Sequence, residues 1–122
     1  MKQCLIVEDS RVVRKVARRI LEALNFSIEE AANGMEALEA VRRGMPDAIL
    51  LDWAPSQGSP GEFLRALRRE PGGEKPIVIF CAIENDVSQI SEAIKSGAND
   101  YIMKPYDRET LQATFTEVGL IN

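Results

Sequence analysis

The stretch that decides the fold is Asp47-Ala48-Ile49-Leu50-Leu51-Asp52, a nearly unbroken apolar run that stops at a carboxylate. A second run, Cys4-Leu5-Ile6-Val7, ends as abruptly in Glu8-Asp9, and Tyr101-Ile102-Met103 runs into Lys104-Pro105. Strands apolar on both faces belong in a sheet covered on both sides. Charge at their ends then lies at the mouth of the sheet. Three carboxylates and an ammonium there describe a cation and phosphoryl site.

Working outward, strand and helix alternate five times without repeat or linker. The first strand is expected near Lys2 to Val7. Val12, Val13, Val16, Ala17, Ile20, Leu21 and Leu24 follow at helical spacing, and Asn25 stops that helix. A weak strand from Phe26 to Glu30 leads through Ala32-Asn33-Gly34 into a helix carrying Ala37, Leu38 and Val41, which ends at Gly44-Met45-Pro46. The third strand is Ala48 to Asp52. Ser59-Pro60-Gly61-Glu62 then reads as N-cap, first helical residue and the return arm of a capping box. Phe63, Leu64 and Leu67 form the buried face of that helix, and Pro71-Gly72-Gly73 stops it. Ile77 to Ala82, Asp86 to Ser96, Asp100 to Met103 and a helix from about Asp107 presenting Leu111, Phe115 and Val118 complete the alternation. Such a pattern predicts α/β architecture, a doubly wound parallel sheet with its site outside the C-terminal strand ends.

The chain has 122 residues, expected to form a single domain over 1–122, with 45% hydrophobic and 28% charged residues. Its net charge of −4 gives no electrostatic help to nucleic-acid binding. No stretch has the length of a membrane span, and Met1-Lys2-Gln3-Cys4 lacks signal-peptide architecture. Cys4 and Cys81 sit in apolar runs without a C-x-x-C pair and read as core thiols, consistent with a reducing cytoplasm. With no histidine, the chain lacks the commonest general base and metal ligand.

Glu8, Asp9 and Asp52 crowded together repel one another unless a cation intervenes. All-oxygen ligands favour a hard ion, Mg²⁺ before Ca²⁺, with the Ala54 carbonyl as a further ligand. A carboxylate beside Mg²⁺ is a nucleophile for phosphorus, and phosphoryl transfer needs positioning and charge neutralisation more than acid–base machinery. Asp52, alone at its strand end, is the candidate nucleophile, and Lys104 the cation for a phosphoryl oxygen. Taken singly, these acids also fit helix caps and solvated loop charges, with Asp9 a candidate cap of the first helix.

The ordered set Leu5-Ile6-Val7-Glu8-Asp9-Ser10, Ile49-Leu50-Leu51-Asp52-Trp53, Gly97-Ala98-Asn99-Asp100-Tyr101 and Lys104-Pro105 resembles the receiver domain of bacterial two-component response regulators, closest to the stand-alone chemotaxis type (CheY-like). The resemblance covers the whole chain and implies five strands in the order 2-1-3-4-5. It implies phosphorylation of Asp52 by a sensor histidine kinase or phosphotransfer protein, with Mg²⁺ at Glu8, Asp9, Asp52 and Ala54. Output then runs through a face of the fourth helix, fifth strand and fifth helix that a downstream protein reads, whether motor, kinase or other regulator. A monomer or weak dimer is expected, with no effector domain, nucleic acid or membrane. It also implies a switch: a hydroxyl ending the fourth strand bonds the phosphoryl group while an aromatic, here Tyr101, swings inward.

Two positions depart from the pattern. The switch hydroxyl falls at Ala82, which has none, and a hydrogen bond to a charged group is worth about 1.5–3 kcal/mol, roughly 10- to 100-fold in bias. The loop after Asp52 lacks the usual Met-Pro pair and carries Pro60 where a left-handed glycine is usual, so it must be rebuilt. Ala54 and Glu84 stand where the family tunes phosphoryl lifetime through water access. A degenerate receiver acting as a phosphorylation-independent interaction module is the alternative. A phosphatase needs a second Asp where Ala54 stands, and a flavin carrier needs a Ser/Thr/Gly-rich loop where Glu8-Asp9 stands. Arg11, Arg14, Lys15, Arg18 and Arg19 give the first helix a basic side, read as kinase-docking or as solvated charge, and Arg65, Arg68 and Arg69 repeat it.

Overall fold

The computed structural model describes residues 1–83 and 86–122, without the side chain of Pro55. Five parallel strands alternate with five helices: β1 Lys2–Val7, α1 Arg11–Ala23, β2 Phe26–Ala31, α2 Gly34–Arg43, β3 Ala48–Asp52, α3 Pro60–Arg69, β4 Ile77–Ile83, α4 Val87–Ser96, β5 Asp100–Lys104 and α5 Arg108–Glu117. A single 3₁₀ turn, Pro55–Gln57, precedes α3. Strand order is β2-β1-β3-β4-β5, as expected.

The period-2 alternation of strand side chains sorts the core into two layers. Leu5, Val7, Ile49, Leu51, Phe80 and Ala82 face α2, α3 and α4. Cys4, Ile6, Leu50, Ile79, Cys81 and Ile102 face α1 and α5. Cys81 and Ala82 therefore point to opposite faces, as their adjacency requires. Both cysteines are free and buried, and burial pushes the Cys4 thiol up to about 12, so it is inert packing.

Local signals set the helix starts. Asn33, Asp86 and Asp107 cap α2, α4 and α5 through their side chains. Ser10, not Asp9, caps α1, accepting from the Val13 amide at 3.3 Å, which leaves the Asp9 carboxylate exposed at the rim. Asn25, at φ 71°, turns the chain out of α1 in the left-handed region that asparagine tolerates.

Three expectations need correction. The apolar stripe of α1 is too wide for the surface it covers: Ala17 and Leu21 are buried, whereas Val12, Val13 and Val16 are 72%, 42% and 54% exposed. The capping box at α3 does not form among the described residues. Ser59 does cap, accepting from the Gly61 amide at 3.1 Å, but its hydroxyl donates to Glu92 of α4, and Glu62 is exposed. Arg68 is no docking charge: half-buried, it bonds the carbonyls of Gly73, Pro76 and Gly97 and the Asn99 side chain, stitching α3 to the loops around β4.

Candidate functional site

Strand register builds the site. Val7 pairs with Leu51, and Asp52 pairs with Cys81. Glu8 and Asp52 are thus the first residues past one level on neighbouring strands. Ile83 pairs with Lys104, and the Lys104 side chain reaches over β4 to place Nζ 2.7 Å from Asp52 Oδ1. Proline follows through a cis bond at Lys104-Pro105.

Glu8 and Asp52 are only 6% and 7% exposed, the only buried charged residues among those described. Glu8 Oε1 accepts from the Ser10 amide at 2.9 Å. Burial, followed by hydrogen bonding with Asp52 and Asp9, pushes the Glu8 carboxyl up to about 8. Burial works against the Lys104 charge, but the Asp52 hydrogen bond and field outweigh it and raise its pKa. Cys81, register partner of Asp52, is pushed well up by burial and then by Asp52, which removes it as a nucleophile.

One ammonium facing Glu8, Asp9 and Asp52 leaves the rim with surplus negative charge. Among the described residues no three acidic, cysteine or histidine side chains are placed together to hold a metal ion. The oxygen donors nevertheless suit a hard cation that keeps waters of its own: two buried carboxylates side by side, an exposed third, and the Ala54 carbonyl. That carbonyl already accepts from the Gln57 amide at 3.0 Å and retains a second lone pair.

The loop after Asp52 turns at a glycine of its own. Gly58 takes the left-handed conformation, φ 81°, two residues before Pro60, which then opens α3. Trp53 pins the loop. Its ring stacks on Phe63 at 5.6 Å, and its Nε1–H donates to the Gly58 carbonyl at 2.9 Å. Gln57 Oε1 accepts from the Gly34 amide at 3.1 Å, tying the same loop to α2.

Ala82 is 1% exposed and offers the rim only a methyl group. Tyr101 is 44% exposed on β5, an outward orientation. Glu84 lies outside the described residues. Sequence reasoning expected Glu8, Asp9, Asp52, Ala54 and Lys104 at one strand-end rim; the structure brings Glu8, Asp9, Asp52 and Lys104 into contact there, and the sequence missed what borders them. Val12, Val13, Val16, Ile83 and Tyr106 line a groove of about 410 Å³ that opens onto Asp52 and Lys104. The signal was present: α1 carries more apolar residues than one face of a surface helix needs.

Comparison with known proteins agrees with this geometry. A family model described as the response regulator receiver domain matches residues 4–116. The response regulator MprA of Mycobacterium leprae (strain TN) is 39% identical over 109 residues, covering 89% of this chain and 47% of that protein. MprA of Mycobacterium avium (strain 104) is 37% identical over the same length, again covering 89% and 47%. The chain thus spans about half the length of the curated relatives it matches. Among solved structures, the chemotaxis response regulator CheY4 of Vibrio cholerae superposes with a TM-score of 0.88 at 27% identity, covering 97% of this chain and 98% of that one. A response regulator structure from Chloroflexus aurantiacus gives 0.86 at 25% identity, with 96% of each chain covered. A match running from the first buried strand to the last helix, on this strand order and with the acidic rim in place, makes the assignment plain: the chain belongs to the response regulator receiver domain family of two-component signalling.

Proposed function

We propose that the chain is a phosphoacceptor, and not an enzyme, that takes a phosphoryl group onto Asp52 from a histidine kinase or phosphotransfer protein. The observation that carries this is the pair Asp52–Lys104, 2.7 Å apart, in a buried rim shared with Glu8. In the transfer an Asp52 oxygen forms a bond to phosphorus, the bond from phosphorus to the donor imidazole nitrogen breaks, and its electron pair returns to the imidazole. Lys104 holds Asp52 in place and stands ready for a phosphoryl oxygen. Glu8, Asp9, Asp52 and the Ala54 carbonyl would hold Mg²⁺, which supplies charge neutralisation for the rim and the incoming group.

The groove beside Asp52 supports a donor that docks there. Its Val12, Val13, Val16 and Ile83 side chains are exposed, and Arg11, Lys15 and Arg19 stand exposed on the same helix as the three valines. A partner with an apolar patch flanked by acidic residues is complementary to that surface. Val87 and Ile94 on α4 and Tyr101 on β5 are likewise exposed, which supports the α4–β5–α5 side as the face read by a downstream protein. Free, buried Cys4 and Cys81 support a reducing cytoplasmic setting.

The test is labelling by a small phosphodonor with Mg²⁺. Wild type should take up one base-labile, hydroxylamine-labile phosphoryl group and Asp52→Asn none; equal labelling of the two overturns the assignment. Buried Ala82 favours a second reading, a receiver that binds its partner without phosphorylation. Partner binding that is unchanged between wild type and Asp52→Asn, with no response of Trp53 fluorescence to Mg²⁺, supports that reading instead.

A further inference from the structure

We propose that Arg14 is a positioning residue for the acidic rim: its guanidinium holds the backbone of Glu8 and Asp9 and thereby sets where their carboxylates stand. The proposal rests on the reading of Glu8 and Asp9 as cation ligands. Arg14 Nη1 donates to the Glu8 carbonyl at 2.7 Å and lies 3.5 Å from the Asp9 carbonyl. Its Nε donates to Glu30 Oε1 at 3.0 Å. One side chain of α1 thus joins the loop leaving β1 to the neighbouring strand β2. The Arg14 side chain is 16% exposed and Glu30 23%, so neither end swings freely in solvent.

The linker between β1 and α1 is only Glu8-Asp9-Ser10, and it carries two adjacent carboxylates beside a third at Asp52. Crowded carboxylates work against such a loop when no cation is bound. A planar guanidinium with several donors in fixed directions can hold the loop carbonyl and an anchoring carboxylate at once. An ammonium has no such fork. Ordering the loop before a cation arrives removes an entropic cost from binding.

Arg18 provides the matched control. It lies one turn further along α1 and bonds the other Glu30 oxygen, Oε2, at 2.8 Å, but makes no bond to the Glu8 or Asp9 carbonyls among the described residues. Removing either arginine deletes one positive charge near the rim. By charge alone, either loss strengthens Mg²⁺ binding, whereas loss of positioning weakens it. The two mechanisms therefore predict opposite signs for Arg14.

Mg²⁺ uptake is measured by titration calorimetry on wild type, Arg14→Gln and Arg18→Gln, with thermal midpoints recorded alongside. Arg14→Gln should weaken the Mg²⁺ dissociation constant roughly 10-fold, the scale of outer-shell effects at metal sites. Arg18→Gln should leave it unchanged or tighten it slightly, although both lose a Glu30 pair and Arg18→Gln loses its bond to Glu22 as well. Equal affinities in the two variants, or tighter binding by Arg14→Gln, overturn the positioning role while leaving the phosphoacceptor reading intact. Wild type that takes up no Mg²⁺ overturns both. Should Arg14→Gln not fold, Arg14→Lys and Arg18→Lys keep the charge and lose the fork; the same inequality is expected, and equal affinities refute the proposal.

Discussion

Replacing Glu8 by glutamine in a chain freed of divalent cations isolates the electrostatic conflict at the rim. Burial and the neighbouring Asp52 and Asp9 raise the Glu8 carboxyl from its ordinary 4.5 to about 8. Between those two values the folded chain keeps a proton that the unfolded chain has released. Unfolding then releases a proton, so wild-type stability falls as pH rises through that window and levels off above it. At pH 7 the linkage is worth roughly 3 kcal/mol at most, and water at the mouth of the rim brings the expected gain to about 1–2 kcal/mol. Glutamine matches glutamate in shape and retains an oxygen for the Ser10 amide, so packing and the 2.9 Å bond survive. At roughly 3–5 °C per kcal/mol for a chain of this size, Glu8→Gln should melt about 3–10 °C higher than wild type at pH 7 in chelator. The difference should shrink steadily toward pH 4.5, measured by circular dichroism or calorimetry. Added Mg²⁺ should stabilise wild type more than the variant. A difference that stays constant with pH, or a variant less stable than wild type at pH 8, refutes the account of a crowded acidic rim.

Two further perturbations probe what borders the rim. A Cβ added at Gly34 meets the Trp53 ring at 2.7 Å, so Gly34→Ala should displace the indole, cost about 1–3 kcal/mol and shift Trp53 emission to the red; unchanged emission and stability refute the pinning of the loop. Val16 is 54% exposed in the groove, so Val16→Glu should change stability by no more than about 0.5 kcal/mol. It should slow phosphoryl transfer from a protein donor at least 10-fold while labelling by a small phosphodonor is unchanged, and equal effects on both donors refute docking at that face.

The elements were legible because each carries its own punctuation. Apolar runs bounded by charge mark β1 and β3, Asn33 and Asp107 cap their helices, and Gly97 closes α4; observed boundaries lie within a residue or two of those expected. Loop chemistry was legible in part. A proline where a left-handed glycine is usual demanded a new path, and the pattern did not say that Gly58 would take the turn or that Trp53 and Gln57 would fasten it. The missing box at Ser59 has a similar origin. Its partner, Glu92, lies 33 residues away on another helix, and no local rule weighs that contact.

By itself the sequence determined the alternation of strands and helices, the sheet type, and the gathering of Glu8, Asp9, Asp52 and Lys104 at one edge. Those follow from short-range periodicity and from the fact that parallel strands all end on the same side. Only the tertiary structure decided which of the α1 valines meet solvent, that Arg68 is a brace and not a docking charge, and that Arg14 reaches the loop carbonyls beside the rim. Each of those depends on which element happens to lie opposite a given helix face, and that is settled by packing between residues far apart in the chain.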